Sequence, residues 1–235
     1  MGIIRSGIHD KTTLFLKEVG CIDHFVETGT YYGNTALWAS NHFKYVETVE
    51  FCKEIFDKAK ENLKQQGNIM CYYGDSRVIL DQILSQSTDK ILFWLDAHWS
   101  SGNTFGENDQ CPLLKELEMI FSDKREHIIM VDDARTFLSP PMPPNDPKQF
   151  PTIKELMDAI PHERFHTLIL EDVIYVIPLN IWNKDTELFF QNEAKRADEY
   201  SFAKKKFYDK YSEIEKKGLK AYVIGEIKKK CFGTK

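Results

Sequence analysis

Apolar positions along this chain come in short blocks whose spacing alternates between two periods. Residues 10–19 place apolar side chains at helical spacing, and 22–27 form a short buried run of strand character. The same pair then repeats. Residues 34–41 read as helix, 45–50 as extended, 53–66 as a charged amphipathic helix closed by Gly67, and 69–73 as extended again. A helix over 76–85 precedes 91–96, which is hydrophobic up to its final aspartate, as expected of a central strand covered on both faces. Residues 113–121 and 128–132 give one more helix and strand, and 152–159 a further helix. Two β-rich runs, 165–170 and 173–178, are separated only by Glu171-Asp172, a link so short that it permits only an antiparallel hairpin. Alternation of this kind specifies a parallel sheet with helices on both faces.

Composition narrows what such a core can be. The chain has 235 residues, enough for one large α/β core, and a formal charge of −5. That balance argues against a nucleic-acid partner held through phosphate neutralisation. The charge is uneven: residues 181–235 carry 14 Lys/Arg against 9 Asp/Glu, about +5, which leaves about −10 on the rest. Five cysteines without C-x-x-C spacing read as free thiols in a reducing compartment, so a cytoplasmic location is expected. No apolar run approaches the roughly 20 residues of a membrane span, so no membrane partner is expected. Met1-Gly2 and Ser6 satisfy the short M-G-x-x-x-[ST] pattern of myristoylation, which an ordinary start of translation explains as well.

Chemistry concentrates where strand-like runs stop. Asp96 closes 91–96, and His98 follows two residues later. Asp132 and Asp133 close 128–132. Carboxylates brought close together repel, and such a group either raises a pKa or takes up a hard cation; oxygen ligation favours Mg²⁺, Mn²⁺ or Ca²⁺ over zinc. Asp133 can join Asp132 in one site only if the chain turns between them, because adjacent strand residues face opposite ways. The plain alternative makes one aspartate a helix cap and pairs another with Arg135. Upstream, Glu27-Thr-Gly-Thr30 continues to Gly33-Asn-Thr35, a strand end followed by a glycine turn and a helical pattern. Gly29 and Gly33 let a backbone approach a ligand where a Cβ would collide. Glu50 and Asp75-Ser76 end the next two strands, although Glu50 also suits a helix N-terminus and Asp75 an N-cap.

Five strand-helix units ending in a hairpin, with Glu27-x-Gly29-x-x-x-Gly33-x-Thr35 after the first strand, resemble the class I S-adenosylmethionine-dependent methyltransferases over residues 22–179. The resemblance implies a doubly wound, Rossmann-like, seven-stranded and mostly parallel sheet with a C-terminal antiparallel hairpin. It implies a methyltransferase domain over 1–180 and a helical extension over 181–235 packed on it. It further implies S-adenosylmethionine held by Glu27, Thr28, Gly29, Thr30, Gly33, Asn34 and Thr35 at the methionine end, by Glu50 in preference to Glu47 at the ribose and by Asp75 near the adenine, with Ser76 and Asp96 also among the cofactor-binding residues. Tyr31 stands where many members have a third glycine. Phe93-Trp-Leu-Asp-Ala-His-Trp99 with Val131-Asp-Asp133 is similar to the metal station of catechol and of macrolide and aminocoumarin sugar O-methyltransferases. By that likeness Asp96, Asp132 and Asp133 hold Mg²⁺ or Mn²⁺. His98 is the expected general base, since an ordinary histidine pKa near 6.5 suits proton removal at neutral pH, and Asp96 is the alternative.

The expected activity is thus O-methylation of a sugar or glycan hydroxyl. Rivals are a catechol-type acceptor, a non-catalytic Rossmann-like binding module, and membership in a larger glycan-modifying protein. A nicotinamide oxidoreductase would need G-x-G-x-x-G, which 28–35 does not supply. The loops 100–110 and 137–151, the latter with six of the nine prolines, would shape the acceptor pocket. Tyr31, Tyr32, Trp99 and Phe137 are candidate stacking rings, and Arg135 is expected to balance Asp132. The helical stretch 183–235 would dock on its own core, form a homodimer contact, or meet a partner protein or anionic surface.

Overall fold

The computed structural model describes residues 7–99, 106, 109–219 and 222–223. Its seven-stranded sheet comprises β1 (His24–Thr28), β2 (Tyr45–Glu50), β3 (Ile69–Tyr73), β4 (Ile91–Leu95), β5 (Ile128–Val131), β6 (Phe165–Leu170) and β7 (Val173–Pro178), in the order β3-β2-β1-β4-β5-β7-β6. Neighbours β3 to β5 run parallel, and β7 is antiparallel to both β5 and β6. The helices are α1 (Asp10–Gly20), α2 (Asn34–Ser40), α3 (Lys53–Leu63), α4 (Ser76–Gln86), α5 (Leu113–Ser122), α6 (Arg135–Leu138), α7 (Ile153–Ala159) and α8 (Lys184–Lys217).

Unbroken apolar runs became central strands. Every residue of β1, β4, β5 and β7 is buried, whereas edge strand β3 is only partly covered. Phe93, Leu95, Ile129 and Val131 of the sheet pack with Leu80 and Ile83 of α4, Leu117 and Ile120 of α5, and Leu156 of α7. Each such side chain contributes about 1.5–3 kcal/mol through its removal from water. The hairpin turns at Glu171 (φ 48°) and Asp172 (φ 73°), both left-handed as a two-residue turn matched to strand twist requires.

Element boundaries depart from expectation at a few ends. α3 stops at Leu63 instead of 66, because Lys64-Gln-Gln66 has no apolar side chain to bury. β4 and β5 each end one residue early, so Asp96 and Asp132 lie just past the ladder and not within it. The proline-rich segment is irregular apart from the end of α6 and a 3-10 turn at Pro147–Gln149.

Two compact units divide the chain inside α8. The sheet with its helices belongs to the unit ending at Glu187, and the helix from Leu188 onward to the other. Among the described residues no helix is long and apolar enough to cross a membrane.

Candidate cofactor and metal site

Strand order reverses between β1 and β4, one partner leading to β2 and the other to β5, and open α/β sheets bind ligands at the carboxyl ends of the strands flanking such a point. Gly29 leaves β1 with φ 87° and donates its N–H to Val49 O at 3.0 Å. A Cβ there would lie 2.5 Å from the Asp96 carbonyl oxygen, so glycine alone lets the β1 and β4 exits touch. Tyr31 takes a left-handed φ of 49°, the conformation that the missing glycine would adopt at no cost. Its N–H donates to Glu50 Oε2 at 3.0 Å, while Cys52 N–H donates to Glu50 Oε1 at 2.8 Å. Glu50 therefore organises both turns, and burial raises its pKa above the ordinary carboxylate range.

Beneath this turn runs a buried chain of polar groups. Thr30 and Thr48 hydroxyls lie 2.6 Å apart, and Thr48 Oγ1 donates to Glu27 Oε2 at 2.6 Å. Glu27 is 2 % exposed, and burial pushes its carboxyl up to about 8 against the opposing hydrogen bonds of Thr48 and Thr35. Gly33 (φ 84°) closes the turn through N–H to Thr30 O at 2.8 Å, and Asn34 and Thr35 begin α2. Asp75 does cap α4, accepting from Arg77 N–H at 2.9 Å; the Arg77 guanidinium also grips it and holds its pKa down. Thr28 and Ser76 turn their hydroxyls toward Glu116 of α5, whose carboxyl burial lifts to about 7. Sequence reasoning passed over Glu116; the available signal was a carboxylate sharing the buried face of α5 with Leu113, Leu117 and Ile120.

The acidic station forms differently from expectation. Asp96 N–H donates to Thr28 O at 3.0 Å and Asp132 N–H to Leu95 O at 3.1 Å, which fixes both exits side by side. Asp133 then adopts φ 56°, the turn its participation demands. Its Oδ2 lies 2.9 Å from His98 Nε2, and Asp96 Oδ1 lies 3.5 Å from the same nitrogen. One ligand atom each from Asp96, His98 and Asp133 falls within 4.8 Å of the others. Asp132 stands outside this trio: its Oδ1 accepts the Asp133 N–H at 2.7 Å and holds the turn. So the converging trio contains His98 and leaves out Asp132, which the sequence had placed beside Asp96 and Asp133.

Charge in the cluster is distributed accordingly. Burial, then the charge of Asp132, raises Asp96 well above the usual carboxylate range. Asp132 itself is pushed up to about 6 by burial and Asp133. Burial opposes a charge on His98, yet the Asp133 hydrogen bond and the Asp96 charge push it up to about 9. Burial likewise works against ionised Asp133, but His98 and Arg135 keep its pKa low. These neighbours thus move His98 away from the ordinary imidazole value on which the general-base expectation rested. Arg135 pairs with Asp133 Oδ1 at 2.7 Å and with Asp172 of the hairpin turn, not with Asp132.

Trp99 and Phe137 are buried and do not offer rings to an acceptor, while Tyr31 and Tyr32 are exposed with ring centroids 4.2 Å apart. The proline-rich loop is pinned beside the station by Asn145 Nδ2 to Trp99 O at 3.0 Å and Asp146 N–H to Gln110 Oε1 at 2.8 Å. Residues 100–105, 107 and 108 of the other expected pocket loop lie outside the described residues.

Among solved structures, an O-methyltransferase from Bacillus cereus, in complex with S-adenosylhomocysteine, matches with a TM-score of 0.51 at 16% identity, covering 73% of this chain and 82% of that one. A methyltransferase from Podospora anserina, also bound to S-adenosylhomocysteine, matches with a TM-score of 0.50 at 16% identity over 71% and 76% of the two chains. This chain has the Rossmann-like methyltransferase fold. No family model matches the sequence, and no curated protein does.

Proposed function

We propose that this protein is an S-adenosylmethionine-dependent O-methyltransferase that uses Mg²⁺ or Mn²⁺ and acts on a sugar or glycan with neighbouring hydroxyls. The observation that carries the reading is the convergence of Asp96, His98 and Asp133 at a strand end whose backbone meets the Gly29 turn, as adjoining cation and cofactor sites would require. Two carboxylate oxygens and one imidazole nitrogen suit a divalent ion that accepts both oxygen and nitrogen ligands, which favours Mn²⁺ over Mg²⁺. The sulfonium donor would rest over residues 27–35, with Glu50 beside its hydroxyl-bearing part and Glu27 supporting the turn from beneath through Thr48. A bound cation supplies charge that lowers the pKa of an acceptor hydroxyl and orients it.

The chain's own contribution is alignment and proton handling. Gly29 and the β1–β4 contact hold the two sites at a fixed separation, as in-line methyl displacement requires. Asp96, whose pKa burial and Asp132 raise, would accept the hydroxyl proton at a carboxylate oxygen, and His98 in its neutral form would hold the cation through a ring nitrogen. Phe137 and Phe150, with ring centroids 6.5 Å apart, form an apolar wall near His98 that limits water. The preference for a sugar follows the motif likeness of Asp96-Ala-His98 and Asp132-Asp133.

Incubation with labelled S-adenosylmethionine and a panel of sugar and catechol diols, with and without chelator, tests the reading. Methyl transfer to a sugar that chelator abolishes, and that Asp133→Asn lowers at least about 100-fold while S-adenosylhomocysteine still binds, is the expected result. Turnover indifferent to chelator removes the cation from the mechanism, and exclusive methylation of catechols replaces the acceptor.

A further inference from the structure

Three buried side-chain oxygens meet behind the cofactor turn, each from a different element. Thr28 supplies a hydroxyl from the end of β1, Ser76 a hydroxyl from the start of α4, and Glu116 a carboxyl from the buried face of α5; the residues are 0, 4 and 1 % exposed. Both hydroxyls face the carboxyl, yet Thr28 Oγ1, Ser76 Oγ and Glu116 Oε1 each stop short of a closed hydrogen bond. Buried polar atoms left open in this way are rare and costly, so three that face one another need a reason. Their elements supply one. The Thr28 carbonyl accepts the Asp96 N–H at 3.0 Å beside the glycine turn, and Ser76 follows Asp75, which caps α4 on the side expected to hold the adenine.

We propose that Glu116 is a positioning residue for the cofactor, its carboxylic acid bonding both hydroxyls once the cofactor is bound and so locking the end of β1 to the start of α4. The inference rests on the cofactor reading given above. A neutral carboxylic acid offers one donor and one acceptor, so it joins two hydroxyls without leaving a charge in the interior. An ionised one would need a cation or water. Arg77, the cation that acts on it, is already engaged by Asp75 at 2.7 Å and by Asp109 at 2.6 Å. Burial lifts the Glu116 carboxyl to about 7, with Asp75 adding to the rise and the two hydroxyls and Arg77 opposing it. Cys111, on the approach to α5, feels the charge of Glu116, but burial first of all pushes its thiol up to about 12, so it keeps its proton. Ionisation of Glu116 therefore draws water between β1, α4 and α5 and loosens the tie. Affinity for the cofactor is full below about pH 7 and declines above it.

Calorimetric titration of the full chain with S-adenosylhomocysteine, from about pH 6 to about pH 8.5, tests this. The affinity of the unaltered chain should fall at least about tenfold across that range. Glu116→Gln keeps a donor and an acceptor but cannot ionise; it should match the parent within about twofold at the acid end and exceed it at least about fivefold at the alkaline end. Glu27 titrates near 8 in both chains, so the difference between the two profiles reports Glu116. Thr28→Val removes one hydroxyl at nearly constant volume, and with it a bond that favours the ionised carboxyl, so it should carry the downturn to higher pH. A carboxyl with a merely structural role would leave these profiles parallel. Parallel profiles for parent and Glu116→Gln overturn the inference and leave the cofactor reading standing, as does a downturn that Thr28→Val fails to move, which decides the matter even where Glu116→Gln does not fold. No binding by the parent at any pH overturns both.

Discussion

Replacing Gly29 by alanine adds a single methyl group at the contact between the two sites. The residue has φ 87°, a region that costs an L-amino acid about 1–2 kcal/mol. The new Cβ would sit 2.5 Å from the Asp96 carbonyl oxygen and 2.8 Å from its carbon, against an ordinary contact that begins at 3.4 Å. Backbone must therefore retreat by about 0.9 Å. That carbonyl accepts from His98 N–H at 3.1 Å, and the same residue's N–H donates to Thr28 O at 3.0 Å, so the retreat weakens both bonds at about 1 kcal/mol each. Together the loss is about 3–4 kcal/mol, a large share of a typical domain stability of about 5–15 kcal/mol. Urea titration followed by tryptophan fluorescence measures it, and with a slope of about 2–3 kcal/mol per molar the midpoint should fall by more than about 1 M. Gly67→Ala is the matched control: its Cβ meets nothing within 4 Å and its φ is not left-handed, so the same assay should show a change within about 0.5 kcal/mol. If Gly29→Ala behaves like Gly67→Ala, the β1 and β4 exits are not in hard contact and the fixed separation between cofactor turn and cation cluster is lost as an argument.

Other perturbations probe separate parts of the molecule. His127 is 1 % exposed, its Nδ1 accepts the Ile91 N–H at 3.0 Å, and burial pushes its pKa down to about 4. The unfolded chain binds a proton near pH 6.5 and the folded one does not, so the contribution is complete above 6.5 and lost as pH falls toward 4, about 3 kcal/mol in all; denaturant midpoints across that window should show the loss, and a flat profile would contradict it. Glu27 has the opposite sign: with its pKa raised to about 8, stability from the protonated carboxyl is complete below 4.5 and declines as pH rises to 8. Glu27→Gln should therefore be more stable than the parent at pH 9 by about 2–4 kcal/mol, measured by thermal unfolding. Arg125 donates to Leu84 O at 2.7 Å and Asp89 O at 2.9 Å and pairs with Asp123, so Arg125→Ala should cost about 2–3 kcal/mol; a loss under 0.5 kcal/mol would show those carbonyls to be served by water.

Much of this architecture was written in hydrophobic spacing. The continuous runs that became β4 and β5, and the two-residue link that became the hairpin turn, carry their structure locally. Their burial on both faces leaves little choice of element. Positions of the acidic residues at strand ends were equally legible, because a charge terminating an apolar run has nowhere to go but the ladder's exit. Which carboxylates converge was not legible. It depended on a left-handed backbone at Asp133 and on a hydrogen bond from Asp133 N–H to Asp132, both of which decide which way two adjacent side chains point. The protonation state of His98 was hidden for the same reason, since it follows from a distance to Asp133, 35 positions later in the chain. Arg135 gave a pairing signal that pointed to Asp132, whereas it pairs with Asp133 and with Asp172, which meets it only once β7 has inserted beside β5.

That insertion has a temporal corollary. Asp172 accepts the Arg135 N–H at 2.8 Å from 37 residues downstream, and its own carbonyl takes the Ala134 N–H at 2.8 Å. A nascent polypeptide released from the ribosome through Asp133 already possesses Asp96, His98 and Asp133, yet lacks the clasp that sets Asp133's direction. If the trio holds the proposed cation, competence to capture it during synthesis should arrive in a single step, when the hairpin emerges, and premature termination ahead of it would yield a product with the same three side chains and no grip.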